Sequence, residues 1–207
     1  GNQTLAQQNF TTATNSYNVA VGYAAGTTVT TGVQNTLIGA LAGDALTDAD
    51  KNTAVGTNAL SSDTLGSKSV AVGTAALFTQ NLTTATDTFN TAVGFEAGKA
   101  LTTGIENTLI GGLAGDALTN ADYNTALGYA TLSADTLGSR STAIGYGTLI
   151  NQNFTTATDS NNTTVGYYAG VAVTTGIRNT LIGSEAGDAL TDADDNVALG
   201  ALALSAD

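Results

Sequence analysis

The side chains of this chain with the best claim to chemistry are carboxylates. Asp44, Asp48 and Asp50 recur as Asp116, Asn120 and Asp122, and again as Asp188, Asp192 and Asp194, with Asp195 added. Calcium takes six to eight oxygens from carboxylates and carbonyls in flexible loops, so these turns have a composition that admits it. Their spacing matches neither the EF-hand loop nor the glycine-rich calcium nonapeptide. The competing reading is a solvated turn in which each Asp caps a local backbone amide. Paired carboxylates can also hydrolyse glycosides, one acting as acid and the other as base or nucleophile. Here they repeat with the chain instead of forming one unique pair. There is no His and no Cys, which removes the usual neutral-pH base, the commonest metal ligand, thiolate chemistry and disulfides. No recognisable nucleophile motif is present. The expectation is a protein that is not an enzyme and has no cofactor, with calcium as the one metal its turns admit.

Charge points the same way. Five Lys and Arg face 17 Asp and Glu, a net charge of −12. A polyanion would be repelled. Lys51, Lys68, Lys99, Arg140 and Arg178 are spread through the chain, so no basic patch and no nucleic-acid partner are expected. No apolar run approaches the 18 residues of a spanning helix, so membrane insertion by this segment is not expected either.

The elements that must position these residues follow from a repeat. A polar residue, Thr or Val, a mostly small residue, a branched aliphatic residue and Gly return along the whole chain, as in Asn52-Thr53-Ala54-Val55-Gly56. The glycines are Gly22, Gly39, Gly56, Gly73, Gly94, Gly111, Gly128, Gly145, Gly166, Gly183 and Gly200, with Gly1 in register. Their spacing is 17, 17, 17, then 21, which makes an outer unit of 72 residues. Residues 1–72, 73–144 and 145–207 are three copies in a single repetitive segment, the last incomplete. The pattern runs into both ends, and a longer array is the simple expectation.

A period of 17 is too short for a helix–turn–helix repeat, and the Gly, Thr and Asn that dominate are poor helix formers. The reading is all-β: a parallel β-solenoid whose coils stack about 4.8 Å apart. A second short strand is expected three residues past each glycine, at Ala25, Ala42, Ala59, Ala76, Thr131 and Thr148. The residue before each glycine is Val, Ile or Leu. The residue before that is Ala, Thr or Leu, with Leu at Leu37, Leu109 and Leu181. Strand neighbours point to opposite faces, so both faces are apolar. One fills the coil, and the other asks for a partner at every coil, most simply more copies of the same chain. Parity alone does not say which face does which.

Asn before many strands is expected to cap local amides. Phe10, Phe78, Phe89 and Phe154 lie in or beside the 21-residue intervals and are expected to fold back over the extra residues, as is Leu82. Tyr23, Phe95 and Tyr167 share one register four coils apart, about 19 Å, too far to stack. Each is expected to pack on its own turn.

The strings Asn90-Thr91-Ala92-Val93-Gly94 and Ser69-Val70-Ala71-Val72-Gly73 resemble the head repeats of trimeric autotransporter adhesins and related repeats of phage tail fibres. The resemblance covers nearly the whole chain, and it departs in period, since the adhesin head repeats are shorter. It implies a left-handed β-roll built by three identical chains, located outside the cell, on a cell surface or a phage virion. The expected function is a rigid shaft or head segment of an extracellular attachment fibre, adhesin or tail fibre. Two alternatives stand beside it. One is direct binding of host glycan, matrix or surface protein by the repeated long turns. The other is an ice or mineral binder, which needs a flat Thr array on every coil. Of Thr27, Thr28, Thr30 and Thr31 in the Thr-rich turn, only Thr30 and Thr31 return, as Thr102 and Thr103 and as Thr174 and Thr175.

Overall fold

The computed structural model describes residues 1–205. It is an all-β parallel solenoid with no helix among those residues. Eleven three-residue strands, one per coil, form a single parallel sheet: β1 (Val19–Val21), β2 (Thr36–Ile38), β3 (Thr53–Val55), β5 (Val70–Val72), β7 (Thr91–Val93), β8 (Thr108–Ile110), β9 (Thr125–Leu127), β11 (Thr142–Ile144), β13 (Thr163–Val165), β14 (Thr180–Ile182) and β15 (Val197–Leu199). Thr53 lies opposite Val70 across β3 and β5, and Val70 lies opposite Thr91 across β5 and β7. Under the longer intervals, β4 (Gly66–Ser67) pairs with β6 (Thr86–Asp87), and β10 (Gly138–Ser139) pairs with β12 (Thr158–Asp159).

The expected second strand past each glycine is not formed. Ala25, Ala42, Ala59 and Ala76 are buried in turns. The cause is backbone sign. The residues two and four past each glycine, and the one five before it, take positive φ: Glu96 at 55°, Gly98 at 59° and Phe89 at 51° in one coil. Extended chain cannot run through such alternation. In all, 28 described non-glycine residues have positive φ, each at a cost of about 1–2 kcal/mol. They persist because the adjoining coils hold them: the Lys68 amide donates to the Asp50 carbonyl and the Arg140 amide to that of Asp122, both at 3.0 Å.

The glycine column is a place of near contact. A Cβ on Gly22, Gly39 or Gly56 would lie 2.4 Å from the carbonyl oxygen of the next column glycine. Coils stack this closely only where no side chain intervenes.

The strand centre points inward. Leu37, Ala54, Ala71, Ala92, Leu109, Ala126, Ala143 and Leu181 are fully buried. Leu37, Leu109 and Leu181 therefore belong to the coil interior. Their size is accommodated by small neighbours: a Cβ on Gly98 or Gly115 would lie within 2.9 Å of a Leu109 methyl. Where the strand centre is Ala71 or Ala92, the facing position holds buried Leu77 or Gly98. Ala92 and Gly98 together leave one coil short of volume, and methyls of Leu77 and Leu109 from the adjoining coils fill it, within 3.0 Å of a Cβ on Gly98, as close packing demands.

Candidate functional site: the outward sheet face and its flanks

The acidic turns do not converge. Among the described residues no group of three or more acidic side chains is placed to hold a metal. Asp48 accepts from Thr31 Oγ1 at 2.5 Å, and Asp50 accepts from the Val33 amide at 2.8 Å. Asp122 and Asp194 accept from the amides of Ile105 and Ile177, and Asn120 accepts from Thr103 Oγ1, all at 2.8 Å. Asp192 accepts from Thr191 Oγ1 at 3.1 Å. Apart from Asp192, these turns cap amides or hydroxyls one coil earlier instead of local ones. Asp44, Asp116 and Asp188 each keep one buried oxygen without a hydrogen-bond partner. Burial pushes the carboxyls of Asp44 and Asp116 up.

The Asn residues before the strands also work across coils. The Asn35 side-chain oxygen accepts from the Asn52 amide at 2.9 Å, and its Nδ2 donates to the Ala49 carbonyl at 2.8 Å. This inward ladder is interrupted by Ser69 and Ser141, and there a buried polar cluster takes over. Asp63 Oδ1 accepts from the amides of Gly66 at 3.0 Å and Leu82 at 3.1 Å. Asp63 Oδ2 accepts from Gln80 Nε2 at 2.6 Å. Gln80 also donates to Ser69 Oγ at 2.9 Å and accepts from Asn90 Nδ2 at 2.9 Å. Asp135, Gln152, Ser141 and Asn162 repeat the arrangement. Sequence reasoning missed this cluster. Its signal was the interior column Val29, Leu46, Asp63, Gln80, Leu101, Leu118, Asp135, Gln152, which turns polar only at the coils bounding each long turn.

The long turns are covered where all copies are apolar: Leu82 and Phe154 are each 6% exposed and Phe10 is half-buried. Phe89 departs from the expectation. It is exposed, with Lys68 Nζ 4.9 Å from its ring centre.

Burial of Asp63 and Asp135 pushes both carboxyls above their ordinary value of 3.8, although Gln80 and Gln152 and the backbone amides pull the other way. The native state therefore holds these protons to higher pH than the unfolded chain does. The resulting stability is fully present below about pH 3.8 and is lost as the pH climbs through the raised values. Relative to an Asp63→Asn/Asp135→Asn double variant, the parent should gain stability as pH falls from about 7 to about 3, read by urea unfolding at each pH. A parent-to-variant difference that is flat over this range would contradict the assignment.

The outward face is the largest chemical feature of the surface. Along Phe89–Phe95 burial alternates, with Asn90 and Ala92 inside and Phe89, Thr91, Val93 and Phe95 outside. Four columns result. The one nearest the glycines is Val21, Ile38, Val55, Val72, Val93, Ile110, Leu127, Ile144, Val165, Ile182 and Leu199. Beside it runs a Thr column, with Thr36, Thr53, Thr91, Thr108, Thr125, Thr142, Thr163 and Thr180 on eight of eleven coils. The strand face thus presents the regular Thr array that the turns lack.

The flanking columns bear on two expectations. Tyr23, Phe95, Tyr129, Tyr146 and Tyr167 stand one residue past the glycine and are all exposed. Tyr23, Phe95 and Tyr167 form no aromatic pair with one another, as expected, but Tyr167 does not pack on its own turn alone: it stacks on Tyr146 of the coil before it at 5.6 Å, and Tyr146 stacks on Tyr129 at 5.4 Å between centres. On the other flank, five residues before the glycine, Lys51, Lys68, Arg140 and Arg178 share one column. Four of the five cations are thus aligned, contrary to their scatter in sequence. Three are paired with acids: Lys68 with Asp87 at 2.5 Å, Arg140 with Asp159 at 3.1 Å and Arg178 with Asp195 at 2.5 Å.

No pocket is found among the described residues, and no helix there is long and apolar enough to cross a membrane. No family model, curated protein or solved structure matches the chain.

Proposed function

We propose that this chain is a rigid, non-catalytic segment of an extracellular homotrimeric attachment fibre, of the adhesin or phage tail-fibre kind. Three left-handed parallel copies pack around one axis and set the reach of a binding element elsewhere in the fibre. The observation that carries this reading is the outward Val/Ile/Leu column. The interior is closed within each coil, so this column is left uncovered along eleven strands. Soluble monomers rarely expose contiguous apolar patches of more than a few hundred Å², and a rotation axis along the rod lets identical copies cover it at every coil. Sedimentation equilibrium at micromolar concentration should return three times the chain mass. A stable monomer under those conditions would refute the reading.

The Thr column supports a second reading, in which the same face meets ice or a mineral lattice. The two uses exclude each other, because a packed face is not free. In the assembled particle no thermal hysteresis is expected. Hysteresis from a monomer would favour the lattice binder.

A further inference from the structure

We propose that the two flanks of the outward face meet across the subunit boundary at equal height, so that the residue five before each column glycine packs on the residue just after the same glycine in the neighbouring chain. This rests on the trimeric reading and specifies its contacts.

The observation is a matched pattern in two columns of one chain. Aromatic residues occupy the first flank at Tyr17, Phe89 and Tyr123. In those same coils the second flank holds Tyr23, Phe95 and Tyr129. Tyr stands with Tyr and Phe with Phe. The six coils with a small residue on the second flank, Ala40, Thr57, Thr74, Gly112, Ser184 and Ala201, all carry a polar or charged residue on the first: Gln34, Lys51, Lys68, Glu106, Arg178 and Asp195. The two remaining coils set Arg140 with Tyr146 and Asn161 with Tyr167. At one coil position both columns change together between copies: Lys51 with Thr57 becomes Tyr123 with Tyr129, then Asp195 with Ala201. Elsewhere one column changes alone, as where Lys68 with Thr74 becomes Arg140 with Tyr146. The matched aromatic pairs and this joint change are what two columns in contact would show.

The contact is not made within one chain. The paired positions are six residues apart along nearly extended backbone, about 20 Å. None of the aromatic pairs joins the two flanks. They lie among Tyr129, Tyr146, Tyr167 and Tyr168, and the cation–ring contacts stay within the first flank. A rotation axis parallel to the rod, with no shift along it, brings the first flank of one copy against the second flank of the next. Because each pair shares a coil, the copies must be parallel and in register. An antiparallel or staggered neighbour would set Tyr17 against a residue of another coil. Aromatic pairs then seal the corners at three heights, polar or charged side chains lie over small residues at six others, and Arg140 and Asn161 lie over Tyr146 and Tyr167 at the remaining two.

The chain has no native Cys, which makes cross-linking clean. Lys51→Cys with Thr57→Cys places thiols on the two flanks of one coil, at exposed positions. Gln34→Cys with Thr74→Cys places them two coils out of step, about 10 Å further along the axis. The full-length variants are treated with bis-maleimidoethane and separated under denaturing conditions. The matched pair should give covalent trimer at least tenfold above the offset pair, and each single-Cys variant should give none. If sedimentation shows trimers while the matched pair fails to link, or links no better than the offset pair, the edge pairing is overturned and the trimer stands. If sedimentation shows a monomer, and nothing links, the trimeric reading fails and the pairing with it.

Discussion

Replacing Gly111 with alanine is expected to cost about 4 kcal/mol or more, among the largest effects a single methyl can have in this chain. The new Cβ would lie 2.3 Å from the carbonyl oxygen of Gly128, at a φ of 135°. Both terms count. The backbone conformation costs an L-residue of order 1–3 kcal/mol, and relieving the overlap means separating two coils, a further 1–3 kcal/mol by comparison with overpacked cores. The separation is not local, because the Gly111 amide donates to the Val93 carbonyl at 2.8 Å and the Gly128 amide to that of Ile110 at 2.7 Å. Gly200 is the internal control. Its φ is 122°, but nothing lies within 4 Å of its added Cβ. Gly200→Ala should show only the backbone term, about 1–3 kcal/mol. Chemical denaturation of both variants reads the difference, and equal losses would remove the steric argument.

Leu109 and Ile110 are adjacent in β8 and should respond to Asp in opposite ways. Leu109 is fully buried and fills the space left by Gly98 and Gly115. Leu109→Asp forfeits the packing of a core leucine, about 2–5 kcal/mol, and adds an unpaired carboxylate whose desolvation costs several kcal/mol more. The chain should fail to fold, seen as loss of the strand signal in circular dichroism. Ile110 points outward, so Ile110→Asp should leave the coils closed. In a trimer it brings three carboxylates toward one axis, and association should weaken by roughly a hundredfold or more, a cost of about 3 kcal/mol. Its sedimentation mass should fall to that of one chain while the strand signal persists. Unfolding by Ile110→Asp, with assembly lost but strands kept in Leu109→Asp, would reverse the two faces.

Gly22, Gly39, Gly56 and Gly73 share one column in the structure as in the periodicity. The reason is elementary: a constant advance along a chain that closes on itself brings equivalent residues together, and the parallel ladder follows. Apolar residues at Phe10, Leu82 and Phe154 likewise marked a turn that folds back, since an apolar side chain repeated in every copy gains only by burial. Direction was not legible. Leu109 and Ile110 are both apolar, and alternation says that they oppose each other without saying which is inside. That choice belongs to the corners, where positive φ at Glu96, Gly98 and Phe89 turns the chain toward one face, and no residue type there announces it.

The same corners placed the polar groups. Lys51, Lys68, Arg140 and Arg178 read as scattered because linear distance hides a column whose successive members are 17, 72 and 38 residues apart. The pairing of Gln80 with Asp63 and Ser69 was hidden because both partners come from the coil before it. Burial of a carboxylate depends on hydrogen bonds that only the stacked coils supply. Periodicity thus determined the neighbours along each column, while the stacked, corner-turned backbone decided which columns face the core, which face water and which remain open to another chain.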